Sequence, residues 1–266
     1  MSVPKTLDEY IVWAAENIGS DFADSKSKRF YEVNLSNFFN SISEHAFFRG
    51  LNIELEKAET EYRSATNSEL LMEKSTPRLL QKPYSSAVDK SFRVNVLWNT
   101  SFPEQPKRGW VTTDNLPFYF NDTIRCCIVC KFIDGPRFVT DRLMTYAKSL
   151  GLDRRRYSQE RDDGYYAHHY YVRFPVKTVD KNWRENETDI EVEVQVTTQL
   201  QDVLRSLTHT FYQANRLTPD EDSSKWKWDF ASNRFRVGYL SHTLHLLESI
   251  ILQSRNEVAS GKTKVD

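Results

Sequence analysis

Apolar positions in the first third of the chain recur with the period of a helix. Leu7, Tyr10, Ile11, Ala14 and Ile18 share one stripe, Thr6 followed by Glu9 forms a capping box, and Gly19 ends the run. A longer helical region is predicted over about Lys28–Ala65. Its stripe is Tyr31, Leu35, Phe38, Phe39, Ile42 and Ala46, with Gly50 as a break. Pro77 marks a turn, and the pattern is helical again from Pro83 or Tyr84 to about Trp98.

The period then changes. Ile124 to Phe132 is an almost unbroken apolar run, the pattern of a central strand covered on both faces. Gly135-Pro136 opens a helix carrying Val139, Leu143, Ala147 and Leu150, and Gly151 closes it. A strand is predicted from Tyr165 to Val176. Next, Ile190, Val192, Val194 and Val196 alternate with Glu191, Glu193, Gln195 and Thr197, which is strand periodicity with one apolar and one polar face. Gln199 to Tyr212 reads as a helix with Leu200, Val203, Leu204, Leu207 and Phe211 inward. A last helix carries Leu240, Leu244, Leu247 and Ile251.

Helices, a mixed strand-and-helix core and more helices predict an α+β fold, one mixed sheet flanked by helices with helical additions at both ends. The expected division is a helical region over 1–75, a core over 76–216, a helical region packed on it over 217–257, and a tail over 258–266. Hydrophobic content of 39% is that of a globular protein, and 266 residues suffice for one good core. No apolar run approaches the roughly 20 residues needed to span a bilayer, and the amino terminus lacks a signal-peptide pattern, so a cytoplasmic protein is expected.

A formal net charge of -1 excludes a globally basic nucleic-acid binder. Charge is nevertheless clustered: Lys74, Arg78, Lys82, Lys90 and Arg93 in one stretch, Arg154 to Arg156 in another. Such clusters suit phosphate-rich ligands; the plain alternative is a solvated face. Cys127 and Cys130 form a C-x-x-C, but positions three apart on a strand point to opposite faces and no second ligand pair follows. Cys126, Cys127 and Cys130 are therefore expected to be core cysteines.

Four features could carry chemistry, each with an ordinary structural explanation beside it. Lys82, Ser86, Lys90 and Arg93 would lie along one helical stripe, a clamp for a polyphosphate or a solvated surface. Asp122 at the mouth of the apolar strand is placed to hold a divalent ion with Arg125 on a phosphate, or simply to pair with Arg125. In the segment 164–172, Tyr165, Ala167, His169 and Tyr171 share one side; Tyr165 could stack on a base and His169 touch a phosphate, although aromatics also favour strands. The polar face with Glu193 and Gln195 is either exposed or looks into a site.

Taken in order, a K-x-x-x-S-x-x-x-K helix, a D-x-x-R strand, a G-Y-x-x-x-H strand and an E-x-Q strand before a helix bearing His209 resemble the RelA/SpoT synthetase domain. The likeness runs from about Lys82 to His209. The family's G-Y-R-S-x-H is similar to Gly164-Tyr165-Tyr166-Ala167-His168-His169, and its E-I-Q-I-R-T to Glu193-Val194-Gln195-Val196-Thr197-Thr198. There are departures. The family's D-x-x-G-x-R puts its Arg five positions after the Asp, whereas Arg125 follows Asp122 by three. Leu80, Tyr166 and Thr197 stand at other family arginines, and Thr208 where a Glu precedes the His.

The resemblance implies a nucleotidyltransferase-like sheet and an ATP-dependent pyrophosphokinase. Asp122 and Glu193 would hold Mg²⁺ and serve catalysis. Lys82, Ser86, Lys90, Arg125 and His169 would bind ATP, Tyr165 the acceptor base, and Gln195 and His209 would shape the site. His45 is the only histidine in the first eighty residues, so no hydrolase domain is expected. GDP or GTP is the usual acceptor, giving a (p)ppGpp-type alarmone. The tRNA CCA end, used by small toxin relatives that an antitoxin protein neutralises, and an adenine nucleotide are the alternatives. A catalytically silent nucleotide-binding relative is the rival of a different class.

Overall fold

The computed structural model describes residues 3–72, 77–160, 166–206 and 226–260. Helix α1 (Leu7–Ile18) begins where Thr6 Oγ1 accepts the Glu9 N–H and ends at Gly19 in the left-handed region, φ 62°. The expected long helix is in fact two, α2 (Ser25–Glu44) and α3 (Ala46–Thr66), and the break falls at His45 rather than Gly50. His45 is extended, and its Nδ1 accepts the Phe47 N–H, so one residue ends one helix and caps the next. Gly50 stays helical for a packing reason: the Tyr146 hydroxyl occupies the space a Cβ would need.

Among the described residues there is one five-stranded sheet in the order β1-β2-β5-β4-β3. Its strands are β1 (Leu80–Gln81), β2 (Ile124–Cys130), β3 (Arg154–Glu160), β4 (Tyr166–Val179) and β5 (Glu185–Thr198). Only β2 and β5 run parallel, so the sheet is mixed, as the chain pattern predicted. Between these lie α4 (Tyr84–Phe92), which widens into a π-helical turn over Arg93–Leu97, a short α5 (Leu116–Tyr119) and α6 (Gly135–Ser149). Helix α7 is described over 199–206, and α8 runs Asn233–Ala259, so residues 258 and 259 are helical rather than tail. No described helix is long and apolar enough to cross a membrane.

The two sheet faces differ completely. Tyr170, Val172, Phe174, Val192, Val194 and Val196 join the core beneath the helices. On β2, Ile124, Cys126, Ile128 and Cys130 point the same way and are buried. The expectation that β2 is covered on both sides fails, because Arg125 is exposed and Cys127 and Val129 are half-buried on the other face. Arg154 to Arg156, read from the sequence only as a charge cluster, form an edge strand.

Two helical stripes are also corrected. Val203 faces solvent while Gln201 and Leu204 are buried. On α8, Leu240, Leu247 and Ile251 are exposed, and the helix docks instead by its Gly238, Ser241 and Glu248 side. Its far end is tied down by Arg255, which donates to Asp134 at 2.9 Å.

Asn34 of α2 pins the end of β4. Its Oδ1 accepts the Val179 N–H at 2.9 Å and the Thr178 hydroxyl at 2.5 Å, with Asn34 and Thr178 both buried. Asn34→Leu leaves the Val179 N–H without an acceptor and the Thr178 hydroxyl with only its long contact to the Val179 carbonyl, and is expected to destabilise the protein by about 2 kcal/mol. Denaturant unfolding measures this, and a loss below about 0.5 kcal/mol would show that the pin is not needed.

Candidate active site

The site begins with backbone pairing. The Lys82 N–H donates to the Thr123 carbonyl at 2.9 Å, extending β1 along β2 and setting Lys82 beside Asp122. Tyr31 holds that turn from below by donating to the Lys82 carbonyl at 2.8 Å. Pro83 then opens α4, and Lys90 returns to the same carboxylate about two turns later. Lys82 Nζ lies 2.8 Å from Asp122 Oδ2, and Lys90 Nζ lies 2.8 Å from Oδ1. Ser86 lies on α4 between the two, half-buried.

Burial alone would raise the Asp122 pKa. The charges of Lys90 and Lys82, and the hydrogen bonds they donate, outweigh it and hold the carboxyl at about 2. Lys82 is pulled the other way: burial lowers its pKa against the support of Asp122. The two directions agree physically, since each group is costly to bury and each is the other's counter-ion.

Arg93 does not join this clamp. It is buried, pairs with Asp89 one turn back at 2.8 Å and lies over the Trp98 ring. Arg125 does not pair with Asp122 as the plain reading expected. It is exposed on the polar sheet face, in register with Glu193.

Strand register assembles the second half. Glu193 on β5 is opposite Arg125 on β2 and Tyr171 on β4; Gln195 is opposite Cys127 and His169. The polar face is not simply exposed. Glu193, Gln195 and His169 are all more than nine-tenths buried. Tyr171 donates to Glu193 Oε2 at 3.1 Å, and His169 Nδ1 is 3.4 Å from Oε1. Burial, reinforced by the Glu193 charge, pushes the Tyr171 pKa up, so its hydroxyl remains a donor at neutral pH.

Three participants escaped the sequence reading. Tyr171 was visible on the His169 side of the strand, but its contact with Glu193 depends on register. Arg155 stacks over the Tyr171 ring at 3.9 Å and forms two hydrogen bonds, 2.9 and 2.7 Å, with Glu191. Arg205 of α7 donates to Gln195 Oε1 at 2.6 Å and reaches Cys127 Sγ at 3.7 Å. Cys127 is the position five after Asp122, where the family pattern has its arginine. No local signal linked Arg155 or Arg205 to this face. Tyr165 and His209 lie outside the described residues.

The C-x-x-C is not a metal centre. Cys126, Cys127 and Cys130 are free, Cys127 faces away from Cys130, and burial raises all three thiol pKa values. Among the described residues no group of three or more His, Cys, Asp and Glu side chains could hold a metal unaided. Two carboxylates are nonetheless the oxygen-donor set that suits Mg²⁺ when phosphate oxygens complete its shell. Asp122, kept ionised by its lysines, and Glu193 fit that requirement.

At the level of sequence, no protein-family model and no curated protein matches the chain. Its fold is that of small alarmone synthetases. The crystal structure of small alarmone synthetase 1 from Bacillus subtilis superposes with a TM-score of 0.53 at 19% identity, covering 89% of this chain and 100% of that one. A GTP pyrophosphokinase family protein from Streptococcus pneumoniae gives 0.53 at 16% identity, covering 87% of this chain and 95% of its own.

Asp122→Asn leaves two ammonium groups facing each other without their carboxylate, and is expected to cost about 2 kcal/mol at neutral pH. The native pKa lies below the ordinary 3.8, so this stabilisation is complete above the unfolded value and is lost as pH falls through about 2. Unfolding free energies of both proteins at about pH 7 and about pH 3 read the difference. A gap that does not narrow at the lower pH would mean that Asp122 is not held as an anion by the lysines.

Proposed function

We propose that this chain is an ATP-dependent pyrophosphokinase that transfers the β,γ-diphosphate of ATP to the ribose 3′-hydroxyl of a guanine nucleotide, making a (p)ppGpp-type alarmone. The observation that carries this reading is the pair of lysines converging on one ionised carboxylate beside a buried polar sheet face. Two ammonium groups held by a single anion carry surplus positive charge, and a polyphosphate supplies the balancing negative charge. The shared fold with alarmone synthetases supports the same reading.

In this account Lys82 and Lys90 turn from Asp122 to the phosphate oxygens when ATP arrives, with Ser86 and Arg125 beside them. Asp122 and Glu193 would hold Mg²⁺, which would neutralise charge on the triphosphate. Glu193 accepts the proton of the acceptor 3′-hydroxyl. The oxygen forms its bond to the β-phosphorus as the bond from that phosphorus to the α-β bridging oxygen breaks, and AMP leaves. The Tyr171 hydroxyl fixes Glu193 Oε2 and so orients the carboxylate. His169, beside Glu193, would contact the ATP phosphates, and Arg205 holds Gln195 in place.

A guanine nucleotide is preferred to tRNA in this reading because the arginines 154–156 already have partners within the chain. Arg155 is held by Glu191 and Tyr171, Arg156 by Asp141, and Arg154 by the Leu152 carbonyl. An RNA backbone would have to compete with each of these.

Purified protein incubated with Mg²⁺ and γ-labelled ATP, offered GDP, GTP, AMP and bulk tRNA separately, is expected to label GDP or GTP. Glu193→Gln should lower the rate by about 100-fold or more while leaving the fold intact. Lys90→Ala should chiefly weaken ATP, raising its KM about tenfold. Label appearing in tRNA instead would make the protein a translation-blocking toxin, and transfer to no acceptor would make it a silent nucleotide-binding relative.

A further inference from the structure

On the sheet face opposite Glu193, the start of β4 and the end of β5 meet α7 and α8. Tyr166, His168, Val196 and Thr198 alternate onto this face. Helix α8 contacts them through polar groups. The His242 Nδ1 lies 2.8 Å from the Tyr166 hydroxyl, and the His245 ring stacks on the Tyr166 ring at 3.7 Å with an interplanar angle of 5°. The Thr198 hydroxyl donates to Glu248 Oε1. A cavity of about 270 Å³ remains beneath the helix, with Pro136 and Val196 among its apolar walls and Gln201, His245 and Glu248 among its polar ones.

Three atoms around this cavity are buried without a hydrogen-bond partner: Gln201 Nε2, His245 Nδ1 and Glu248 Oε2. Gln201 is 7% and Glu248 5% exposed. His245 Nδ1 lies 3.7 Å from Glu248 Oε2, too far for a hydrogen bond. Buried polar groups in native proteins are paired almost without exception, so orphans of both kinds around one cavity point to an occupant that pairs with them.

The orphans define its chemistry. A carboxylate oxygen asks for an N–H donor and disfavours a phosphate; an amide NH₂ asks for an acceptor. A flat aromatic wall favours a planar ring. We propose that this cavity binds a nucleobase, whose ring N–H or exocyclic amine donates to Glu248 Oε2. The neighbouring ring nitrogen or carbonyl accepts from Gln201 Nε2, with the ring against the Tyr166–His245 pair. The cavity shares no lining residue with the Lys82–Asp122–Lys90 clamp, and the proposal does not depend on the proposed transfer reaction.

Photolabelling of the full chain with 8-azidoguanosine and 8-azidoadenosine, which carry no phosphate, tests this with peptide mapping. Specific label is expected in the peptides bearing Tyr166 or His245, displaced by excess unmodified nucleoside. Glu248→Gln, which turns the acceptor into a donor, should weaken it about tenfold or more. Gln201→Leu, which leaves the Thr198–Glu248 bond in place, should do the same and serves if the first variant melts early. Lys90→Ala should leave the label unchanged. Absence of specific label, label confined to the Glu193 face, or label indifferent to both variants would overturn the proposal, the cavity then holding ordered water alone.

Discussion

The fold and the site share one ion cluster, the Asp122 carboxylate held between Lys82 and Lys90. Lys82 arrives on the backbone pairing of β1 with β2, Lys90 on α4, and Asp122 on the turn that enters β2. The cluster therefore joins three segments at the mouth of the central parallel pair. Burying these charges is unfavourable for each alone, and Asp122 keeps its charge because the lysines supply two positive partners. Such an arrangement is poor as a stabilising device, since apolar packing would serve better. Under the proposed function its anion exchanges for substrate phosphate.

The sheet extends the same logic. One face is filled with valine, isoleucine, tyrosine and phenylalanine against the helices, and the other buries a glutamate, a glutamine and a histidine next to one another. Register brings these side chains together, and Tyr171 and Arg205 supply hydrogen bonds that make their burial tolerable. Arg205 reaches the sulfur of Cys127 from α7, so a guanidinium comes to this part of the face from a helix although the strand itself carries none there.

Much of this was legible in the chain. The alternation from Ile190 to Thr197 identified both faces of β5, the break in period at Ile124 located β2, and the order of motifs pointed to the fold. Local signals failed where tertiary packing decides. Gly50 reads as a helix breaker, yet it stays within α3, where the Tyr146 hydroxyl packs against it. The apolar residues read on the last helix do not decide its docking: α8 turns Ser241 and Glu248 to the protein and exposes Leu240, Leu247 and Ile251. Arg93 fits the spacing of a basic stripe, but Asp89 and the Trp98 ring engage its guanidinium instead. Arg155 and Arg205 carry no mark in their neighbours, because their contacts are set by strand register and helix placement, which a linear pattern does not encode.

The most direct test of the account is a crystal structure of the protein with Mg²⁺ and a non-hydrolysable ATP analogue. The account predicts that both lysine ammonium groups leave Asp122 for phosphate oxygens, and that Asp122 and Glu193 turn to the metal on the polar face of the sheet. An analogue bound elsewhere, with the Lys82–Asp122–Lys90 cluster intact, would contradict it and leave the cluster a structural tie.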